Sequence, residues 1–163
     1  MGSGKTTVAA ALAARLACLA LDLDAYIAER EGRTPQQIID EDGEARFRQI
    51  ESRYLRAAVE SHAARIIALG GGAWTIEANR ALAAEYGITV WLDAPFDLCW
   101  ERIAATGADR PFARDRDRAL CRYEARRPLY ALAPLRIGVT ADKSVDDIAD
   151  EVASALSRAG ALG

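Results

Sequence analysis

Apolar positions recur along the 163-residue chain in two alternating rhythms, one helical and one extended. Residues Lys5 to Cys18 are alanine-rich with apolar positions at helical spacing, which predicts a helix starting directly from a glycine loop. Ala20-Leu21-Asp22-Leu23-Asp24 alternates and predicts a strand that ends in acid. Thr34-Pro35 predicts an N-cap followed by proline at the first helical position, and a long helix follows from about Gly43 to His62. Ile66 to Leu69 forms an apolar strand that stops in Gly70-Gly71-Gly72, predicted as a flexible turn. Ile76 to Tyr86 then reads as a helix, Ile88 to Leu92 as a strand and Pro95 to Ala104 as a helix. From Ala105 to Asp117 the chain turns polar around Gly107 and Pro111, which predicts an exposed, mobile loop. A helix resumes to about Tyr130, Leu135 to Val139 makes a last strand, and Ser144 with Asp147 predicts a capping box for a final helix to about Arg158. Strands alternating with helices imply an α/β fold with a parallel sheet covered on both faces.

Composition narrows the classes of function. A formal net charge of -3 argues against a general nucleic-acid binder. The arginines between Arg102 and Arg127 suit a polyanion such as a nucleotide triphosphate, or else a solvated helix face. Cys18, Cys99 and Cys121 are odd in number and widely spaced, suggesting neither a disulfide framework nor a zinc site. The single histidine, His62, fits a surface position at a helix end. No run of about 18 apolar residues exists and no signal peptide follows Met1, so the expectation is one soluble cytoplasmic domain over residues 1–163 with no membrane partner.

Gly2-Ser3-Gly4-Lys5-Thr6-Thr7 carries the second half of the P-loop pattern GxxxxGK[ST], whose backbone N–H groups cradle phosphates while the lysine reaches the terminal ones. The helix that follows turns its positive end toward the same anion, and Thr6 is positioned by the pattern to put a hydroxyl on Mg²⁺. The bland reading is a glycine turn that merely caps a helix. The first glycine of the pattern falls two places before Met1, so the loop and its feeding strand are expected in a product starting about ten residues earlier.

The acceptor must be argued from other residues. Asp22 and Asp24 share one face of the predicted strand at its carboxyl end, where open α/β sheets bind ligands. One suits the metal and the other an acceptor hydroxyl, unless both simply end the strand and cap the next helix. Arg48 and Glu51 lie three apart on a helix, where Glu51 can hold the guanidinium, although such pairs are commonly surface ion pairs. Gly70, Gly71 and Gly72 point to a ligand close to the main chain or to a loose turn. Arg126 stands just before Arg127-Pro128, where the proline is expected to end its helix, and a guanidinium there suits bidentate capture of a carboxylate.

In this order, Gly-Ser-Gly-Lys-Thr-Thr, Asp-Leu-Asp, Gly-Glu-Ala-Arg-Phe-Arg-Gln-Ile-Glu, Gly-Gly-Gly-Ala, Arg-Pro-Phe and Arg-Arg-Pro-Leu-Tyr resemble the motifs of the shikimate kinases over essentially the whole chain. The resemblance implies a P-loop NTPase of the nucleoside-monophosphate-kinase-like class. Such a fold is a three-layer sandwich with a parallel sheet, five-stranded in the complete protein, a substrate-binding segment at about 25–60 and a mobile lid at about 105–118. It implies ATP-dependent phosphorylation of shikimate with Mg²⁺; a monomer is the default expectation for the chain. It further implies that Asp24 orients the attacking hydroxyl, that Arg48 and Arg126 bind the shikimate carboxylate, and that the glycine run, Gly71 above all, donates main-chain hydrogen bonds. Asp22 is implied near the metal, Arg110 over the transferred phosphoryl group and Arg102 on adenine. Two departures from the family pattern are Phe112 after the lid Arg-Pro and Cys18 at the end of the first helix. The rival readings are a gluconate-kinase-like enzyme and a non-catalytic binding module of the same fold.

Overall fold

A computed structural model describes residues 2–105 and 115–161. The described chain falls into two compact units, one formed by residues 1–8 and 88–163 and the other by residues 9–87. In chain order the elements are α1 (Lys5–Arg15), β1 (Ala20–Asp22), α2 (Leu23–Glu31), α3 (Pro35–Asp42), α4 (Glu44–Glu60), β2 (Ile66–Ala68), a 3-10 turn (Ala73–Thr75), α5 (Glu77–Tyr86), β3 (Val90–Asp93), α6 (Phe96–Ala105), α7 (Arg116–Tyr130), β4 (Leu135–Gly138) and α8 (Val145–Arg158). The described strands form two parallel pairs, β1 with β2 and β3 with β4. Each pair is joined through helices, as a parallel connection requires.

In the second unit, β1 and β2 pair in the register Ala20↔Ile66, Leu21↔Ile67 and Asp22↔Ala68, so both strands stop level with one another. The core beside them joins Leu23 and Ile27 of α2, Ile38 of α3, Phe47, Ile50 and Leu55 of α4, and Leu82 of α5. On α4 the buried positions Phe47, Glu51, Leu55 and Ala58 follow one another at helical spacing. Glu51 thus lies on the apolar stripe, and its burial follows from the period of the helix.

One expectation needs correction here. The predicted strand through Asp24 ends at Asp22, and Leu23 and Asp24 open α2. Oδ1 of Asp22 accepts from the backbone N–H groups of Asp24 and Ala25 at 3.0 and 3.2 Å, so capping of otherwise orphaned donors wins over alternation. The predicted glycine turn is present and leads into a 3-10 turn, in which the N–H of Ala73 bonds the Gly70 carbonyl and the N–H of Thr75 bonds that of Gly72.

Helix ends follow the sequence signals elsewhere. Thr34 and Gln37 form a reciprocal capping box with Pro35 in the first turn of α3. Thr34→Ala removes an accepting oxygen from that box and is expected to cost about 1 kcal/mol of stability, read as a lower urea midpoint. Ala17 and His62 take left-handed backbone angles, φ 48° and 52°, just past α1 and α4. In each case the next N–H reaches back to close the helix, Cys18 to the Ala13 carbonyl and Ala63 to that of Ala58. His62 is exposed, in keeping with its predicted place.

In the first unit, β3 and β4 pair from Val90↔Leu135 to Asp93↔Gly138. Ser144 and Asp147 form the predicted capping box, and α8 buries Ile148, Ala149, Val152 and Ala155. Pro128 does not end α7, which corrects the predicted stop. Lying in the last turn, it removes one hydrogen bond only, and the Ala131 N–H still reaches the carbonyls of Arg127 and Leu129. The predicted lid falls for the most part outside the described residues, Arg110 and Phe112 with it.

Candidate functional site

The first unit holds the phosphate-loop residues. Gly2 and Gly4 have φ of 74° and 83°, angles at which any other residue is strained. A Cβ on Gly2 would fall within the radius of the Cys99 backbone in α6, so close approach is a second reason for glycine there. A Cβ on Gly4 would lie 3.7 Å from a guanidinium nitrogen of Arg102, which sets Arg102 beside the loop. Lys5 opens α1 and its Nζ stands 3.5 Å from the Ser3 hydroxyl. Thr6 and Thr7 follow in the exposed first turn, at the end of α1 where the helix dipole favours an anion. Burial pushes the Cys99 thiol up, against the opposing pull of Lys5 and Arg102.

Arg126 lies on α7 in the same unit, half-buried, with no ion-pair partner among the described residues. Its neighbour Arg127 is committed to the buried Asp93 at 3.3 Å, and the Tyr123 hydroxyl donates to the Ala94 carbonyl at 3.0 Å. These contacts fix α7 against the end of β3. They also separate the two adjacent arginines, one held and one available.

The second unit gathers the residues expected to face an acceptor. Because β1 and β2 end level, α2 and the glycine turn leave the pair from the same end. A Cβ built on Gly70 would lie 3.1 Å from Glu51 Oε1 and 3.4 Å from Asp24 Oδ1, so both carboxylates flank this glycine. One built on Gly72 would fall inside the guanidinium of Arg48. Arg48 is held from two sides, by Glu51 at 2.7 Å and by Glu44 at 3.0 Å. Glu51 is 1% exposed and Arg48 22%, so the pair differs from the solvent-screened surface ion pair that the sequence left open. Burial works to lower the Arg48 pKa, but hydrogen bonds and charge from Glu51 and Glu44 prevail and raise it, so the guanidinium is a permanent cation.

Asp24, Arg48 and Gly70 to Gly72 are thus brought together, and Asp22 caps the helix that carries Asp24. Glu44 was not singled out in the sequence as a second support for Arg48, although its i,i+4 spacing signals it. Among the described residues no cluster of three or more His, Cys, Asp or Glu side chains suits a metal ion, and no helix is long and apolar enough to cross a membrane.

Comparison with known proteins gives a consistent picture. A family model described as shikimate kinase matches residues 1–157. The shikimate kinase of Ruegeria pomeroyi is 41% identical over 160 residues, covering 96% of this chain and 81% of that protein. That of a Nostoc species is 40% identical over 161 residues, covering 96% of this chain and 86% of the relative. Among solved structures, the shikimate kinase of Bacteroides thetaiotaomicron superposes with a TM-score of 0.88 at 28% identity, covering 96% of this chain and 94% of that one. The Acinetobacter baumannii enzyme in complex with shikimate superposes with a TM-score of 0.87 at 30% identity, covering 98% of this chain and 89% of that one.

Proposed function

The chain belongs to the shikimate kinase family, with the α/β P-loop kinase fold of that family, and from this membership we propose how its residues divide the reaction. The reaction is ATP-dependent phosphorylation of the shikimate 3-hydroxyl, which yields shikimate 3-phosphate and ADP for aromatic amino acid biosynthesis. Phosphoryl transfer asks a protein chiefly for positioning and for positive charge around the moving group.

In this reading the Gly2–Gly4 backbone and the start of α1 cradle the phosphates, Lys5 reaches the terminal ones, and Thr6 and Thr7 line the same anion site. Arg102 packs on the nucleotide beside the loop, and Arg110 brings positive charge to the transferred group. Asp24 accepts a hydrogen bond from the attacking hydroxyl, orients it and takes its proton as the new P–O bond forms. Arg48 and Arg126 grip the shikimate carboxylate, and Gly70 to Gly72 offer main-chain N–H groups to the ring hydroxyls. What supports the acceptor side is the convergence of Asp24, a half-buried and doubly held Arg48, and two glycines packed against them.

The family works with ATP and a divalent metal, for which Mg²⁺ is our assignment. A threonine hydroxyl and an aspartate are hard oxygen donors that fit this ion. Thr6 would offer it a hydroxyl from the phosphate loop and Asp22 is the carboxylate assigned near its shell, and when bound it neutralises phosphate charge. Asp22 would contribute while also capping α2. We further read the chain as a single kinase domain acting as a cytoplasmic monomer.

A coupled ADP-release assay with shikimate, with gluconate and without acceptor tests the assignment. Turnover is expected with shikimate alone, and equal turnover with gluconate or without acceptor overturns it. Arg48→Lys keeps a cation over Glu51 but loses the planar fork, so shikimate KM is expected to rise about tenfold with ATP KM unchanged.

A further inference from the structure

The glycine turn that packs on Arg48 is itself held from outside by two residues of α5. The buried Asn79, 3% exposed, donates its side-chain amide to the Ala73 carbonyl at 3.0 Å. Nη1 of Arg80 donates to the carbonyls of Trp74 and Thr75 at 2.8 and 2.9 Å. The Thr75 hydroxyl closes the same segment by donating to the Gly72 carbonyl at 2.7 Å. Three consecutive carbonyls at the end of the 3-10 turn are therefore taken by two side chains that reach no part of the acceptor set themselves. A cation at the carbonyl end of a helical turn also meets its partial negative charge.

We propose that Asn79 and Arg80 are positioning residues for shikimate binding, which set the glycine turn at the height where Gly72 bears on the Arg48 guanidinium. The inference rests on the acceptor-site reading above. Gly72 leaves no room for a methyl group between main chain and guanidinium, so the turn and Arg48 fix each other's place. Glu51 and Glu44 hold Arg48 from its own helix, and Asn79 and Arg80 hold the opposing surface from α5. Release of the turn would let Arg48 and the glycine N–H groups drift from the geometry that receives a carboxylate, while the phosphate loop keeps its own.

Arg80→Met removes both donors, Arg80→Lys keeps one charged donor, and Asn79→Ala removes the amide by a smaller change. For Arg80→Met and Asn79→Ala, shikimate KM is expected to rise about tenfold, with ATP KM and kcat within about twofold to threefold of the parent. Arg80→Lys is expected to recover part of the loss. In a cycle with Arg48→Lys, the effect of Arg80→Met on shikimate Kd should shrink, because both act through one contact. An unchanged shikimate KM beside a lowered Tm, a parallel rise in both KM values, or full additivity in the cycle overturns the proposal. The Arg48→Lys arm read alone separates the two levels. If it leaves shikimate KM unchanged, the acceptor-site reading itself fails; if it raises KM while Arg80→Met does not, only the clamp fails.

Discussion

Asp24→Asn is expected to lower kcat by about two to four orders of magnitude while shikimate Kd changes by no more than a few fold. The substitution keeps the size of the side chain and the backbone N–H that Asp22 receives, so the first turn of α2 stays as it is. What changes is the capacity to accept a proton from the attacking hydroxyl. Asp24 is exposed at the carboxyl end of the β1–β2 pair and flanks Gly70, a position open to a ligand. Single-turnover kinetics beside calorimetric titration of shikimate make the distinction. A normal chemical rate in this variant would remove Asp24 from the proton-transfer role.

The second large effect is expected at Gly72. Its backbone angles, φ -75° and ψ -37°, suit any residue, so the cost of Gly72→Ala is steric, set against a gain of about 0.4–1 kcal/mol from the stiffer unfolded chain. The added methyl group meets the Arg48 guanidinium, an end that is ordinarily flexible but is here pinned by Glu51 and Glu44. Swinging the guanidinium away breaks the ion pair at the buried carboxylate of Glu51, and breaking a buried pair costs about 3–5 kcal/mol. Moving the turn instead breaks the bonds made by Asn79 and Arg80. Gly72→Ala is therefore expected to raise shikimate KM at least about tenfold and to lower stability by about 2–4 kcal/mol. Gly87→Ala is the matched control, since that glycine is extended at φ 176° with nothing within 4 Å of an added Cβ. Urea unfolding and steady-state kinetics of both variants check the pair, and equal behaviour of the two would refute the steric argument.

Much of this was legible in the order of residues. Helices and strands were readable because apolar period and capping chemistry agree, as at Thr34-Pro35 and at Ser144 with Asp147. The acid segment misled because Leu21 and Leu23 alternate with aspartates like a strand, whereas the Asp22 side chain starts a helix two residues early. Pro128 misled because its cost depends on how many helical bonds remain after it, which composition does not tell. For Arg48 the spacing to Glu51 was visible, but the strength of the grip depends on Glu51 lying on the Phe47–Leu55 stripe. Asn79 and Arg80 left no trace, because their partners are backbone carbonyls, which every residue carries.

The glycine turn also carries a light source. Trp74 sits in the 3-10 turn, buried, with its carbonyl in the grip of Arg80, while Trp91 and Trp100 belong to the other compact unit. With those two replaced by phenylalanine, the remaining indole emission would come from the acceptor side alone. Shikimate docking would then have an optical signature of its own within the polypeptide, with no dye attached.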